Sequence, residues 1–505
     1  MASITNRKKI LQWVDALPRN PILDWILENK AVLSLSSLAI LNALIYGFGF
    51  LPMANLLALY QVPRLNLYSL PLGGFTGLWR VILAFLALGL VYWQGWRIAR
   101  HIRGKAAWAI ILGSSLAYGI IFLFMYPFDA SDIFDNVLRG RILGIYAANP
   151  FHPATSQFAT DPFYKYITWK GWPSAYGPGW EATAGLAARM AGNGVVANVL
   201  AFKMLPGIFL LASLGLLALT LYKIAPKYAL AGTLLLAWNP IVLYETWGNG
   251  HNDMAMVFWM LAAALALLER RYTLAILALV AGALFKFIPV LLIPPALALA
   301  LRDIQNPRHR LVFLAITISL SMLLFVLSYA PFWEGLKVLN VQRRTQLYTS
   351  SLPSAIYRLL LDQGWIKEKA AMVISRAAFG LTLAFTIWKS WRVWRAPTFD
   401  EMIKAAAQIL LFYLLVTCLW FQNWYGLWPA GLAPLLKPGL TRRMALLVGF
   451  ATLSKPLGIG PMLFWPKPRL AQPWLEIWFT LGVLALPWIY WLFSTWEIKR
   501  APDSL

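Results

Sequence analysis

Cysteine is almost missing from this chain, and so is any long polar stretch. The one cysteine, Cys418, lies inside an apolar run. An internal disulfide is therefore excluded, and no Cys/His spacing suited to zinc is present. Charge is sparse at 13% of 505 residues, about half the share of a soluble domain. Negative charge is scarcest, with 20 Asp and Glu against 44 Lys and Arg, giving a formal net charge of +24. There is no phosphate-binding glycine loop, metalloprotease helix motif, nucleophile elbow or Ser-His-Asp arrangement. No internal repeat is apparent, which argues against inverted-repeat transporter plans. A cleavable signal peptide is not expected either. Residues 1–30 carry Arg7, Lys8, Lys9, Arg19 and Lys30 among Asp15, Asp24 and Glu28, and read as an amphipathic cytoplasmic lead-in.

What fills the chain is apolar sequence, at 60% of residues, with a further signature of 15% aromatics. Runs near 20 residues recur at 31–51, 76–96, 106–126, 199–221, 228–246, 254–268, 311–330, 370–388, 404–421, 444–460 and 473–493. Such runs are long enough to cross a bilayer core. Two stretches are ambiguous. Residues 273–301 form one tilted span or a hairpin broken at Phe287-Ile288-Pro289. Residues 419–436 form a tail plus a short return helix after Gln422-Asn423-Trp424.

The basic residues cluster in short loops: Arg97 to Lys105, Glu269-Arg270-Arg271, Arg302 to Arg310, Lys389 to Arg395, Arg442-Arg443 and Lys499-Arg500. All fall on one side of the membrane only if both ambiguous stretches are hairpins. The expectation is an all-α polytopic membrane protein with about 14 membrane segments and both termini in the cytoplasm. The whole chain, 1–505, reads as one domain. Two sizeable loops, 127–198 and 332–369, then lie outside the cytoplasmic membrane. The excess of basic residues is a topology signal here, and nucleic acid is not expected as a partner.

Long loops in compact proteins usually carry function. The first opens with Asp129-Ala130-Ser131-Asp132-Ile133-Phe134-Asp135 at the end of a span. A helix is expected from about Ser131 to Tyr146. Phe134, Val137, Leu138, Ile142 and Ile145 give it an apolar face that would lie on the membrane surface. Asp129 or Ser131 would cap that helix, with Asp132 complementing its dipole. Alternatively, a carboxylate there would serve as general base on a sugar hydroxyl. Gly248-Asn249-Gly250-His251-Asn252-Asp253 is a tight turn whose glycines and asparagines follow from turn chemistry. A histidine beside an aspartate does not, so His251, Asn252 and Asp253 are candidate binding residues.

Lys203, Glu245, Lys286, Arg376 and Lys455 fall towards the outer ends of spans. Intramembrane charge is costly and points to function, with snorkelling as the plain alternative. The cations suit a lipid phosphate, with Lys286 at a hairpin tip and Arg343 and Arg344 in the second outer loop. Trp420 to Pro429 is aromatic-rich, as an interfacial belt or a sugar-stacking surface, with Trp424 and Tyr425 as candidates.

These residues resemble a known family. Ser131-Asp132-Ile133-Phe134, Arg139-Gly140-Arg141 and Asn149-Pro150-Phe151 are similar to the first outer loop of bacterial GT-C polyprenol-phosphate-mannose-dependent mannosyltransferases. Tyr176-Gly177-Pro178, Asn239-Pro240, Gly250 to Asp253, Lys286 to Pro289 and Trp424-Tyr425 continue the likeness in family order. Two positions depart from it: Arg139 stands where an acidic residue is common, and Gly179-Trp180 where a leucine is.

The resemblance implies a GT-C fold, an outer-leaflet polyprenyl-phosphate sugar donor, a glycan or glycolipid acceptor and an inverting single displacement. It implies Asp132 as general base, with Asp129 as the other candidate. Lys286, Arg343 and Arg344 would hold the donor phosphate. Arg141, Tyr176, His251, Asn252, Asp253, Trp424 and Tyr425 would bind substrate. No cofactor is implied, although the nearby aspartates would permit a divalent metal. A lipid-linked-sugar flippase, or a GT-C transferase of glucose or aminoarabinose, are the competing readings.

Overall fold

The computed structural model describes residues 29–63, 65–67, 69–128, 131–151, 155–339, 347–452, 481–482, 485 and 487–490. Among these residues the fold is helical, and the only β pairing is two isolated bridges, Asn55 with Met125 and Thr349 with Trp420. Among the described residues, six helices are long and apolar enough to cross a membrane: α1 (Lys30–Phe50), α2 (Gly74–Ala99), α3 (Lys105–Leu123), α6 (Val195–Ile224), α11 (Pro307–Tyr329, prolonged by a turn to Phe332) and α13 (Lys367–Arg395). Large side chains on α11 and α13, among them Leu311, Leu327, Phe379 and Ile387, face outward. In water such a surface would be a liability, and lipid is the solvent that suits it.

The remaining apolar segments are shorter, and breaker residues explain why. The expected span at 228–246 is interrupted after α7 (Ala229–Ala237). Pro240 cannot continue the hydrogen-bond ladder, and Asn239 Oδ1 accepts from the N–H groups of Ile241 and Val242, starting a new turn. A wide π-helical turn then runs from Tyr244 to Gly248 before α8 (Asp253–Leu268).

Both ambiguous stretches fold back. After α9 (Tyr272–Phe285), Lys286 is extended (φ −153°, ψ 130°), a short turn spans Ile288–Leu292, and α10 (Ile293–Asp303) returns. The two ends meet, because the Tyr272 hydroxyl donates to Asp303 at 2.5 Å. A continuous helix would hold residues 31 apart at about 45 Å. The late hairpin closes in the same way. Lys437, beyond α15 (Leu427–Leu432), pairs with Asp400 at the start of α14 (Phe399–Phe412) at 2.5 Å. Basic loop residues such as Arg270 and Lys437 therefore sit at the hairpin bases, opposite the tips. The expected spans at 444–460 and 473–493 lie partly outside the described residues. Of the former, α16 covers Leu440–Thr452.

The first loop contributes α4 (Asp132–Gly144) and α5 (Pro178–Ala191). Contrary to the amphipathic reading, α4 does not lie on a surface: every residue from Ile133 to Ile142 is buried. Its charged side chains find partners inside, so it needs no polar face. Asp135 accepts from the backbone N–H groups of Thr168 and Trp169, and Arg141 pairs with Asp161.

Candidate active site

Three turns and one helix end converge on one place. The turn between the π-helical segment and α8 supplies Glu245, His251 and Asp253. The tip of the α9–α10 hairpin supplies Lys286. The tip of the late hairpin supplies Asn423, Trp424, Tyr425 and Trp428. The start of α4 supplies Asp132.

Specific hydrogen bonds hold the tips together. Asp253 Oδ1 accepts from Lys286 Nζ at 2.6 Å and from Trp428 Nε1 at 2.5 Å. Glu245 accepts from Asn423 Nδ2 at 2.7 Å, from Asn249 Nδ2 at 3.0 Å, and lies 2.9 Å from His251 Nδ1. His251 stacks on Trp424 at 3.8 Å. Lys286 Nζ lies 4.7 Å from the Tyr425 ring, 5.4 Å from Trp428 and 5.8 Å from Tyr176, a partial aromatic cage.

Tyr176 reaches this place because of the residue after it. A side chain at Gly177 would come within 2.1 Å of the Leu284 carbonyl, so only glycine lets the loop approach the hairpin backbone. The Gly177 N–H then donates to Phe285 O at 3.1 Å, and Pro178 opens α5. Burial, then the charges of Asp132 and Asp253, push the Tyr176 hydroxyl well above its ordinary range. At His251, burial pushes the imidazole down. The hydrogen bond and charge of Glu245, with the charges of Asp132 and Asp253, outweigh it, so the net shift is upward. Both aspartates thus lie close enough to act on the same two side chains.

The helix-capping reading of the first loop does not hold for Ser131. Its hydroxyl pairs with Thr168 Oγ1 at 2.6 Å and makes no cap. Asp132 is half-buried, and among the described residues its one hydrogen bond to protein comes from Trp169 Nε1 at 3.3 Å. Trp169 packs on Trp172 and on Trp420 at 6.0 and 5.1 Å, forming an aromatic wall beside the carboxylate. Thr349 fastens that wall, donating its N–H to Leu419 O and accepting from the Phe421 N–H.

The other sequence candidates are placed differently. Arg141 turns away from the tips. It is buried against Asp161 at 2.8 Å and donates to Gly192 O and Asn193 Oδ1, bracing the loop. Lys203 does not snorkel or line a pocket. It is buried and donates to the carbonyls of Phe122 and Met125, where the end of α3 leaves oxygens without helical partners. Arg376 is exposed on α13. Asp129, Arg343, Arg344 and Lys455 lie outside the described residues.

Residues that sequence reasoning left unassigned are Asn249, Asn423, Trp169 and Trp428. Their only signal was a crowding of tryptophans, which an interfacial belt explains equally well. A second buried polar group lies behind Asp132. There burial holds the Asp135 carboxyl up at about 6, with Arg139 at 3.9 Å opposing. Burial likewise raises Glu181 to about 7, against its hydrogen bond from Ser174.

The family model described as alpha-(1->6)-mannopyranosyltransferase, N-terminal domain, matches residues 38–302, just over half of the chain, from within α1 to the last turn of α10. The chain is 24% identical over 461 residues to alpha-(1->6)-mannopyranosyltransferase A of Mycobacterium tuberculosis (strain ATCC 25618 / H37Rv), covering 85% of this chain and 81% of that protein. No solved structure matches. With its apolar helices, its convergent hairpin tips and a family match of this extent, the chain belongs to the alpha-(1->6)-mannopyranosyltransferase family and is a GT-C membrane mannosyltransferase.

Proposed function

We propose that the chain moves mannose from a polyprenyl-phosphate donor to a mannose-bearing glycan or glycolipid, at the extracytoplasmic face of the cytoplasmic membrane. The relative's name specifies an α-(1→6) linkage, which makes the acceptor group a primary C6 hydroxyl. Asp132 accepts the proton of that hydroxyl. The oxygen attacks the anomeric carbon, the bond to the phosphate oxygen breaks, and polyprenyl phosphate leaves with inversion. The leaving group carries its own charge, so fixed cations stabilise it.

The observation that carries this reading is the meeting of Asp132 with the hairpin tips bearing Lys286 and Trp424. That meeting supports a division of labour in which Asp132 serves the acceptor and Lys286 the donor phosphate. Lys286 has three N–H groups, and one goes to Asp253. The other two would bind donor phosphate, together with Arg343 and Arg344. Asp253, Asn252, His251, Tyr176, Trp424 and Tyr425 would surround the transferred sugar. Trp169 and Trp420 offer a stacking face to the acceptor on the Asp132 side.

The decisive assay incubates purified protein with radiolabelled polyprenyl-phosphate mannose and membrane lipid extract, then determines linkage and anomeric configuration. Transfer with inversion to a C6 hydroxyl is expected. Retention of configuration, or transfer from a sugar nucleotide alone, would overturn the reading.

A further inference from the structure

Glu245 is a carboxylate with no exposed surface in a largely apolar chain. Leaving such a charge buried is costly unless it is fully bonded. Its three partners are Asn249, Asn423 and His251, and the His251 backbone N–H also donates to the Glu245 carbonyl at 2.9 Å. His251 is thus tied twice to one residue, and Trp424 stacked at 3.8 Å fixes its ring plane. With Nδ1 committed to Glu245, the other nitrogen, Nε2, is buried and has no partner among the described residues. A buried, oriented and unpartnered ring nitrogen points to a ligand.

The charge count around it identifies the ligand atom. Glu245 faces the ring from the π-helical turn, Asp132 from α4, and Asp253 from α8. Lys286 answers Asp253, and Tyr176 and Tyr425 face the same space as neutral phenols. Among the described residues, three carboxylates stand against one lysine, a balance unfavourable to an anionic donor. A protonated imidazole paired to Glu245 lessens that excess and turns Nε2 into a donor.

We propose that Glu245 is a positioning residue that holds His251 as an imidazolium, with Nε2–H directed to a phosphate oxygen of the bound polyprenyl-phosphate donor. No proton needs to be transferred: the N–H donates as negative charge grows on the leaving oxygen. This rests on the donor reading given under Proposed function. It also explains why the carboxylate must be buried, since an exposed glutamate would be solvated and would compete poorly for the ring proton.

The chain has four histidines, His101, His152, His251 and His309, so ¹⁵N-histidine labelling of the full-length protein in detergent resolves the ring directly. His251→Gln assigns its signals. In wild type both His251 nitrogens are expected to stay protonated through neutral pH. In Glu245→Gln the titration midpoint is expected to fall by about one pH unit or more. Binding of polyprenyl phosphate alone is then measured across pH. Glu245→Gln is expected to bind about tenfold more weakly near pH 8 and to recover near pH 5.5, where the ring is charged again. His251→Gln should lose the pH dependence while Glu245 remains, which keeps the test decisive if Glu245→Gln fails to fold. A neutral His251 at pH 7 in wild type, an unchanged midpoint in Glu245→Gln, or a binding loss independent of pH would overturn the proposal. Absence of polyprenyl-phosphate binding in wild type would instead remove the donor reading, and the histidine titration would still decide whether the pair exists.

Discussion

Lys286 and Asp253 form an ion pair of 2.6 Å that joins the tip of one membrane hairpin to the turn before another helix. A lysine in an apolar hairpin, read alone, calls for an external anion. The pair shows that it already has an internal one. Removing either partner leaves a buried charge, which costs about 3–5 kcal/mol for a buried pair. Lys286→Ala should therefore lower the thermal unfolding midpoint sharply, and Asp253→Asn in the same chain should restore part of it. The double variant should still lack tight polyprenyl-phosphate binding. Recovery of wild-type binding in the double variant would mean that Lys286 serves only to neutralise Asp253.

Sidedness is open to a direct check. Gln157 in the first loop and Arg103 in the loop between α2 and α3 are both exposed, and the native Cys418 is buried. Reactivity of a cysteine at either site thus reports its side and not its burial. In intact cells an impermeant maleimide should label Gln157→Cys and spare Arg103→Cys. The reverse pattern would put Asp132 in the cytoplasm and end the outer-leaflet donor reading.

Much of this arrangement could be read from local chemistry. Pro289 and Lys286 together marked the first hairpin tip because each is costly in a continuous apolar helix, although α6 carries Lys203 and Pro206 inside one. Gly250 marked the turn, and it has φ +71°. The partners could not be read. Lys203 looked like a pocket cation because its acceptors, Phe122 O and Met125 O, lie about eighty residues earlier and only helix packing brings them near. The family resemblance implied Arg141 as a substrate ligand, and its partner Asp161 lies across a loop with no periodicity to register them. The amphipathic reading of α4 failed because it took charge as evidence of solvent, whereas Asp135 and Arg141 are bonded inside. Types of residue were legible, and pairings were not.

Stability should fall on the alkaline side. Glu181 is raised from 4.5 to about 7 and Asp135 from 3.8 to about 6, chiefly by burial. A carboxyl whose folded value is raised contributes fully below its unfolded value, and the contribution is lost as pH rises through the folded one. His251, raised above 6.5, has the same sign. The loss from Glu181 is on the order of 3 kcal/mol between about pH 4.5 and 8. Unfolding midpoints should drop between about pH 5 and pH 8, and Glu181→Gln should flatten the drop. An equal slope in both proteins would assign the pH dependence elsewhere.

Asp132 and Asp135 stand one helical turn apart and make opposite predictions. Asp135 is 3% exposed and bonded to two backbone N–H groups, so it fixes the 168–169 segment against α4. Asp132 is half-buried beside the Trp169 indole and is the one of the two that an acceptor hydroxyl can approach. Asp132→Asn keeps the shape and the indole contact but cannot take a proton. It should fold like wild type, bind polyprenyl phosphate normally and lose roughly 10² to 10⁴-fold in kcat. Asp135→Asn places an amide where two N–H donors already point. It should lose stability by about 1–3 kcal/mol, with kcat reduced only as far as Asp132 is displaced. The comparison is made on folded protein at equal occupancy of donor. An active Asp132→Asn together with an inactive, well-folded Asp135→Asn would move the base one turn along the helix.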